Sequence, residues 1–388
     1  MDFSLTDDQR DLRDAVLKHC SRFPDEYWLE RDRDGAFPHD FHRSMAEAGW
    51  LGVAMPEDVG GGGLGITEAA LMMEAVAESG GGMAAASSIH GPVFSMQPVA
   101  LFGTPEQRRR MIPPVLDGRH RICFAVTEPN AGLDTTRLTT RARRRDGGYA
   151  VDGEKIWISV AQVADKMMLL ARTTPLEEVG RRTEGLSLFF TDLDRAKVEV
   201  REIPKMGRHA VDSNLLFISG LWIPEEDRIG AEGDGFKIIL HGLNPERVLL
   251  AAEAVGLGRA ALARAARYAR ERVVFDRPIG MNQGIQHPLA KCWAQLEAAR
   301  LMVLKAASLF DAGQDCGVEA NAGKYLAAEA GFEACHTAML TLGGMGYAQE
   351  YHVERYLRES LIPRTAPVSP HMILNFLAEK VLGLPKSY

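Results

Sequence analysis

The 388-residue chain has no apolar run near the ~18 residues needed to span a bilayer, which excludes an integral membrane segment. Its opening, MDFSLTDDQR, carries acids where a signal peptide needs positive charge, and no apolar stretch follows, so a cytoplasmic protein is expected. Cysteine is scarce: Cys20, Cys123, Cys292, Cys316 and Cys335 are odd in number and scattered, without CxxC or ligand spacing to histidine. They read as reduced, buried thiols, and no metal site is expected. Excess positive charge is also missing, with 45 Lys plus Arg against 52 Asp plus Glu, a net charge of -7. The one short basic run, Arg141 to Arg145, ends at an Asp-Gly-Gly turn signal, which argues against nucleic-acid binding. There is no GxSxG, HExxH or Walker loop, so serine hydrolase, zinc protease and P-loop chemistry lack support. GGGGLG, Gly60 to Gly65, satisfies a bare dinucleotide pattern, but helical texture on both sides makes it a loop rather than a fingerprint between strands.

What is present is a globular composition, 46% hydrophobic and 25% charged, in a chain too long for a single core. The first third has helical punctuation: TDDQ from Thr6 fits a capping box, and Leu12, Val16 and Leu17 follow at helix spacing. From about Arg121 the texture changes to short β-rich runs, among them ICFAVT, YAVDGEKIWIS, KMMLLART, LSLFFTDL and LLFISGLWI. After IGAEGDGF the helical period returns in long stretches, Glu246 to Val274 and Gln286 to Asp311 among them. The expectation is α+β: a helical unit at 1–120, a β unit at 121–232 and a second helical unit at 233–388.

Two segments carry the chemistry, CFAVTEPNAGLDTT from Cys123 and KIWISVAQVADKMMLLART from Lys155. A flavin ring needs a flat apolar or aromatic wall with a few hydrogen-bond donors at its polar edge. FAVT offers Phe124, Val126 and Thr127 alternating along a strand, and Trp157 with Ser159 offers the same pair from another. On spacing alone Trp157 is better explained as a core aromatic of a strand. Together with LFGTPEQ, IPEEDRIGAEGDGF, ERVVFDRPIGMNQGIQHPLA and LGGMGYAQEYHVERYLRE, these motifs resemble the acyl-CoA dehydrogenase family along the whole chain.

The resemblance implies a three-domain fold: an N-terminal α-helical domain, a middle β-sandwich or barrel-like domain and a C-terminal four-helix bundle. It implies FAD, with Phe124, Val126, Thr127, Trp157 and Ser159 at the flavin. Arg272, Phe275, Gln283, Gly343 and Gly344 would lie at the dinucleotide end, across a subunit interface, and Ser369 would retain a hydroxyl found in the family. It further implies an acyl-CoA substrate, an electron-transfer flavoprotein as partner and a homo-oligomer, tetramer or dimer.

The implied reaction is α,β-dehydrogenation of an acyl-CoA thioester, which needs a carboxylate at the α-carbon. The position near the C-terminus that often supplies it falls here on Pro367, or Ala366 if the gap differs by one. Isovaleryl-CoA and long-chain acyl-CoA dehydrogenases take the base instead from a helix start in a Pro-x-Glu-Arg-like context, and NPERVLL matches that with Glu246 followed by Arg247. Local rules also explain Glu246 without chemistry: Asn244 is a good N-cap, Pro245 a good first residue, and a first-turn glutamate suits the helix dipole. Asn244, Arg247 and Leu133 complete the substrate-side set, Leu133 replacing a family serine. A flavin monooxygenase or oxidase on the same fold, or a non-catalytic FAD- or CoA-binding member, are the alternatives. The other histidines, His90 among them, show no partner spacing and are expected to be structural.

Overall fold

The computed structural model describes residues 3–387. The N-terminal helices are α1 (Asp7–Cys20), α2 (Asp25–Asp34), α3 (His39–Glu47), α4 (Ile66–Val76), α5 (Gly82–Ser95), α6 (Gln97–Phe102), α7 (Pro105–Met111) and α8 (Pro113–Leu116). The capping box is present at α1, where the Thr6 side chain receives Gln9 N–H and the Gln9 side chain receives Thr6 N–H. Thr104 and Gln107 repeat it at α7. Helices α4 and α5 are buried almost all round, as their Ala- and Met-rich sequences require. The turn between them ends at Gly82, whose φ of +60° and whose neighbour, Glu359 Oε2 at 2.7 Å from an added Cβ, leave room for glycine alone.

Eight strands follow: β1 (Ile122–Ala125), β2 (Arg141–Arg145), β3 (Gly148–Ser159), β4 (Lys166–Arg172), β5 (Leu186–Asp192), β6 (Val198–Glu202), β7 (Ser213–Pro224) and β8 (Arg228–Ile229). They form one sheet in the order β6-β7-β3-β2-β4-β5-β8, with β1 parallel beside β4. The basic run is β2 itself: Ala142 points into the core, while Arg143 pairs with Asp152 at 2.8 Å and Arg144 with Glu225 at 2.7 Å. Two of the four arginines of the run are thus paired with acids of the same β unit.

The C-terminal part comprises α9 (Gly235–Glu271), the hairpin β9 (Val273–Val274) and β10 (Arg277–Pro278), α10 (Gln283–Asp311), α11 (Gly317–Leu342), α12 (Val353–Glu359), α13 (Ile362–Thr365) and α14 (Pro370–Lys380). Small residues let α9 pack tightly: an added Cβ at Gly256 would stand 2.1 Å from Glu74 O, and one at Gly331 would stand 2.6 Å from Ala254 O. One core joins α1, α4 and α5 directly to α9, α10 and α11, and a second packs α6, α7, α8 and the start of α9 against β1, β4 and β5.

One expectation fails here. Asn244 and Pro245 do not open a helix, because α9 starts at Gly235 with Asp234 at its N-cap. Phe236, Ile238 and Ile239 pack into the core beneath the sheet and extend the helix through Pro245, despite the backbone hydrogen bond that proline forfeits. Glu246 therefore lies about three turns inside the helix, beyond the reach of its dipole. The five cysteines are free and buried, as expected. Among the described residues no helix is long and apolar enough to cross a membrane, and no cluster of His, Cys, Asp or Glu could hold a metal ion.

Candidate active site

The loop after β1 is fixed from beneath by an ion pair. Lys155 Nζ, with a fully buried side chain, donates to Glu128 Oε1 at 2.9 Å, to Val126 O at 3.0 Å and to Leu170 O at 2.7 Å. Glu128 also accepts from Thr139 N–H (2.7 Å), the Thr139 hydroxyl (2.8 Å) and Thr140 N–H (2.9 Å). Burial works to raise the Glu128 pKa, but Lys155 and these donors outweigh it and hold the carboxyl below its usual range. Burial pushes Lys155 down to about 8. Thr127 O accepts Ile156 N–H at 2.9 Å, which aligns the loop with the end of β3.

There β3 bulges. The register with β7 shifts between Lys155 and Ile158, Trp157 takes a φ of +61°, and its side chain is 57% exposed. A tryptophan held in left-handed backbone geometry with an open face is a strained, outward-aimed residue of the kind found at binding sites. Ser159 Oγ accepts from Arg208 Nη2 at 3.0 Å, and the same guanidinium bonds Ser213 Oγ at 3.1 Å and, on α5, Ser87 Oγ at 3.2 Å. Arg208, itself at a φ of +56°, thus ties the bulge to α5. No motif in the sequence pointed to it.

On α5, one turn beyond Ser87, His90 Nδ1 lies 2.6 Å from Glu253 Oε1 of α9. The His90 ring packs against Phe94 with centroids 4.8 Å apart, and Phe94 meets Phe124 of β1 edge-on at 5.1 Å. Sequence spacing showed no partner for His90 because that partner is 163 residues away, beyond any local pattern. Burial works to lower the imidazole pKa, but Glu253 reverses the sign and raises it.

Glu246 lies seven residues before Glu253 on the same face of α9. Among the described residues it makes no hydrogen bond or ion pair, and burial raises its pKa against the opposing pull of His90 and Arg247. Arg247 Nη1 donates to Asn244 Oδ1 at 2.9 Å, and burial lowers the Arg247 pKa. From α11, the buried Lys324 donates to Val368 O at 2.6 Å and is pushed down to about 8, by burial first and then by Arg247. The turn it touches contains a cis Ala366-Pro367 bond and Ser369, whose hydroxyl caps α14 by accepting Met372 N–H at 3.4 Å. The turn carries no acid.

The remaining candidates stand apart. Arg272 is the C-cap of α9, Phe275 is 93% exposed at the β9–β10 tip with a φ of +53°, and Gln283 begins α10. Gly343 and Gly344 have nothing within 4 Å of an added Cβ. Leu133 is 60% exposed in the loop after Glu128. No hydrogen bond or ion pair joins these residues to Trp157 or Glu246 among the described residues. The exposed indole, the exposed phenyl ring and the open space at the glycine pair fit a cofactor that has a flat ring and a phosphate-bearing arm.

The β unit thus presents an outward tryptophan at its bulge, and α9 an unpaired carboxylate. Family models for the N-terminal, middle and C-terminal domains of acyl-CoA dehydrogenase match residues 6–119, 123–220 and 233–379. Acyl-CoA dehydrogenase FadE12 of Mycobacterium tuberculosis is 36% identical over 394 residues, covering 100% of this chain and 99% of the relative. Butyryl-CoA dehydrogenase from Megasphaera elsdenii superposes with a TM-score of 0.93 at 29% identity, covering 98% of this chain and 100% of that one. The FAD complex of PigA also gives 0.93, at 26% identity, with 98% and 99% covered. The chain belongs to the acyl-CoA dehydrogenase family and is an oxidoreductase with FAD as its cofactor.

Proposed function

We propose that the protein converts an acyl-CoA thioester to the trans-2-enoyl-CoA, with Glu246 taking the α-proton. Bound FAD supplies the acceptor for the β-hydride. The observation that carries the proposal is an unpaired, partly buried carboxylate on α9, while the turn at Ala366 to Ser369 holds no acid. His90, Arg247 and Lys324 favour the ionised form of Glu246 and burial opposes it, which sets a base ready to accept a proton. Arg247, oriented by Asn244, faces the substrate side with Leu133. Phe124, Val126, Thr127, Trp157 and Ser159 would hold the flavin ring. Arg272, Phe275, Gln283, Gly343, Gly344 and Ser369 would hold the rest of FAD. A cytoplasmic homo-oligomer, tetramer or dimer, of three-domain chains (1–120, 121–232, 233–388) that passes electrons to an electron-transfer flavoprotein completes the reading.

The test is anaerobic titration of the yellow holoprotein with a panel of acyl-CoAs: loss of flavin colour supports the proposal, and no loss with any thioester opposes it. The pH profile gives a second check. A base works ionised, so activity should fall as pH drops through a Glu246 pKa raised above the ordinary carboxylate range. The acid limb of kcat/KM should therefore lie higher than an exposed glutamate would give.

Phe275 tests the oligomer. An aromatic ring 93% exposed at a hairpin tip is explained by a partner subunit whose cofactor it covers. Phe275→Ala should lower FAD affinity by roughly 10-fold, about 1.4 kcal/mol, read by fluorescence on dilution, with little change in the fold of one chain.

A second reading, an oxidase or monooxygenase on this fold, is favoured by Leu133 in place of a family serine and by Pro367, which can give no backbone N–H to a carbonyl. Rapid reoxidation of the reduced protein by oxygen, with peroxide or hydroxylated product, would support it. A holoprotein that no acyl-CoA or oxygen affects would point to a non-catalytic member.

A further inference from the structure

Glu253 is fully buried, and only one of its carboxylate oxygens has a partner: Oε1 meets His90 Nδ1, while Oε2 has none. Buried apolar residues flank the pair along both helices, Ile89, Val93 and Phe94 on α5 and Leu249, Leu250 and Leu257 on α9, with Glu246 and Arg208 the charged groups acting on the ring from farther off. A purely hydrocarbon acyl group would be best received by a wall of that kind throughout. A charged pair set into it carries a desolvation cost that a hydrocarbon chain does nothing to offset.

The bond at Nδ1 fixes the ring and turns Nε2 to the side away from Glu253, where no described protein group receives it. The imidazole remains 14% exposed, so that edge can be reached. Its position is bounded on three sides. Glu246 stands two turns earlier on the helix that carries Glu253. Phe94 leads from the ring to Phe124 on β1. Ser87, one turn before His90, is tied through Arg208 to Ser159, two residues beyond Trp157. The free edge of His90 therefore lies at the junction where α5 and α9 meet the strands that carry the ring-binding candidates.

We infer that His90, clamped by Glu253, is a specificity-determining donor that selects acyl-CoA thioesters whose acyl group carries an oxygen acceptor, a carboxylate or a hydroxyl, beyond the reacting carbons. The inference rests on the proposed role of Glu246 as the base. Glu253 accepts Nδ1–H and orients the ring, and its adjacent carboxylate favours the imidazolium form, in which Nε2 also carries a hydrogen and donates it to the substrate oxygen. A substrate without that oxygen leaves the donor unpaired in a closed site, so discrimination of roughly 10- to 100-fold is expected.

The experiment uses the FAD-loaded full chain. Three CoA thioesters of equal acyl length are compared, one unsubstituted, one ending in a hydroxyl and one ending in a carboxylate. They are followed by single-turnover loss of flavin colour and, independently of turnover, by calorimetric binding. The wild type should prefer one oxygen-bearing thioester by the stated factor, and which one it prefers separates an anionic from a neutral acceptor. His90→Phe should abolish the preference, read as the ratio of each oxygen-bearing thioester to the unsubstituted one measured on the same variant, and His90→Gln, which keeps an N–H, should restore part of it. A wild type that favours the unsubstituted thioester, or a His90→Phe variant weakened equally toward all three, would overturn the inference. If His90→Phe fails to fold, the wild-type and His90→Gln affinities decide. Absence of colour loss with every thioester would defeat the base assignment instead, and the calorimetric order would still judge the donor.

Discussion

Glu246→Gln is expected to slow acyl-CoA-driven loss of flavin colour by roughly 100- to 10,000-fold while FAD stays bound. Glutamine keeps the shape of the side chain and removes the lone pair that takes the proton. Nothing else should move, because Glu246 makes no hydrogen bond or ion pair whose loss would disturb its neighbours. The Asn244–Arg247 bond beside it, 2.9 Å long, and the His90–Glu253 bond two turns on, 2.6 Å long, are both independent of its charge for their geometry. Thioester binding should therefore persist in the variant, and the loss should fall on the chemical step rather than on affinity. A proline at residue 367 strengthens the expectation, since no acid stands on that turn to take over.

The second large effect is on stability. Lys155→Met should destabilise the β unit by roughly 3–5 kcal/mol, read as an earlier thermal transition with earlier release of FAD, because it leaves the Glu128 carboxylate buried without its cation. The Val126 and Leu170 carbonyls lose their donor at the same time. Glu128→Gln should cost less, since Lys155, already pushed down to about 8, can shed its proton, and the double variant should recover part of the loss. The pH dependence has a definite sign. Glu128 titrates lower in the folded protein than in the unfolded chain, so its contribution is present above the unfolded carboxylate pKa and disappears as pH falls through the folded one. Wild type should lose stability across that acid window, and Glu128→Gln should lose less.

Local chemistry was legible in the sequence wherever it acts over a few residues. Thr6 with Gln9 and the Asp-Gly-Gly turn after β2 follow short-range rules. The buried cysteines followed from composition and spacing. The start of α9 did not, because Pro245 and Asn244 imitate a helix beginning so well that only the packing of Phe236, Ile238 and Ile239 overrules them. The cluster around Glu246 was invisible for a different reason. His90, Glu253, Arg208 and Lys324 come from two distant helices, a loop between strands and a third helix, and each is an ordinary residue until the fold brings it beside the others. Trp157 lies between these cases: its type was readable, but its outward direction depends on a bulge opposite β7 that no periodicity reports.

Proton removal from the α-carbon is the step assigned to Glu246, and hydrogen exchange reads it directly. Holoprotein and a saturated acyl-CoA are incubated anaerobically in deuterated water, and deuterium entering the α-position of recovered thioester is measured by mass spectrometry for wild type and Glu246→Gln. The wild type should incorporate deuterium there and the variant should not, although both bind the thioester and retain FAD. Equal incorporation by the two proteins would contradict the assignment and place the base elsewhere.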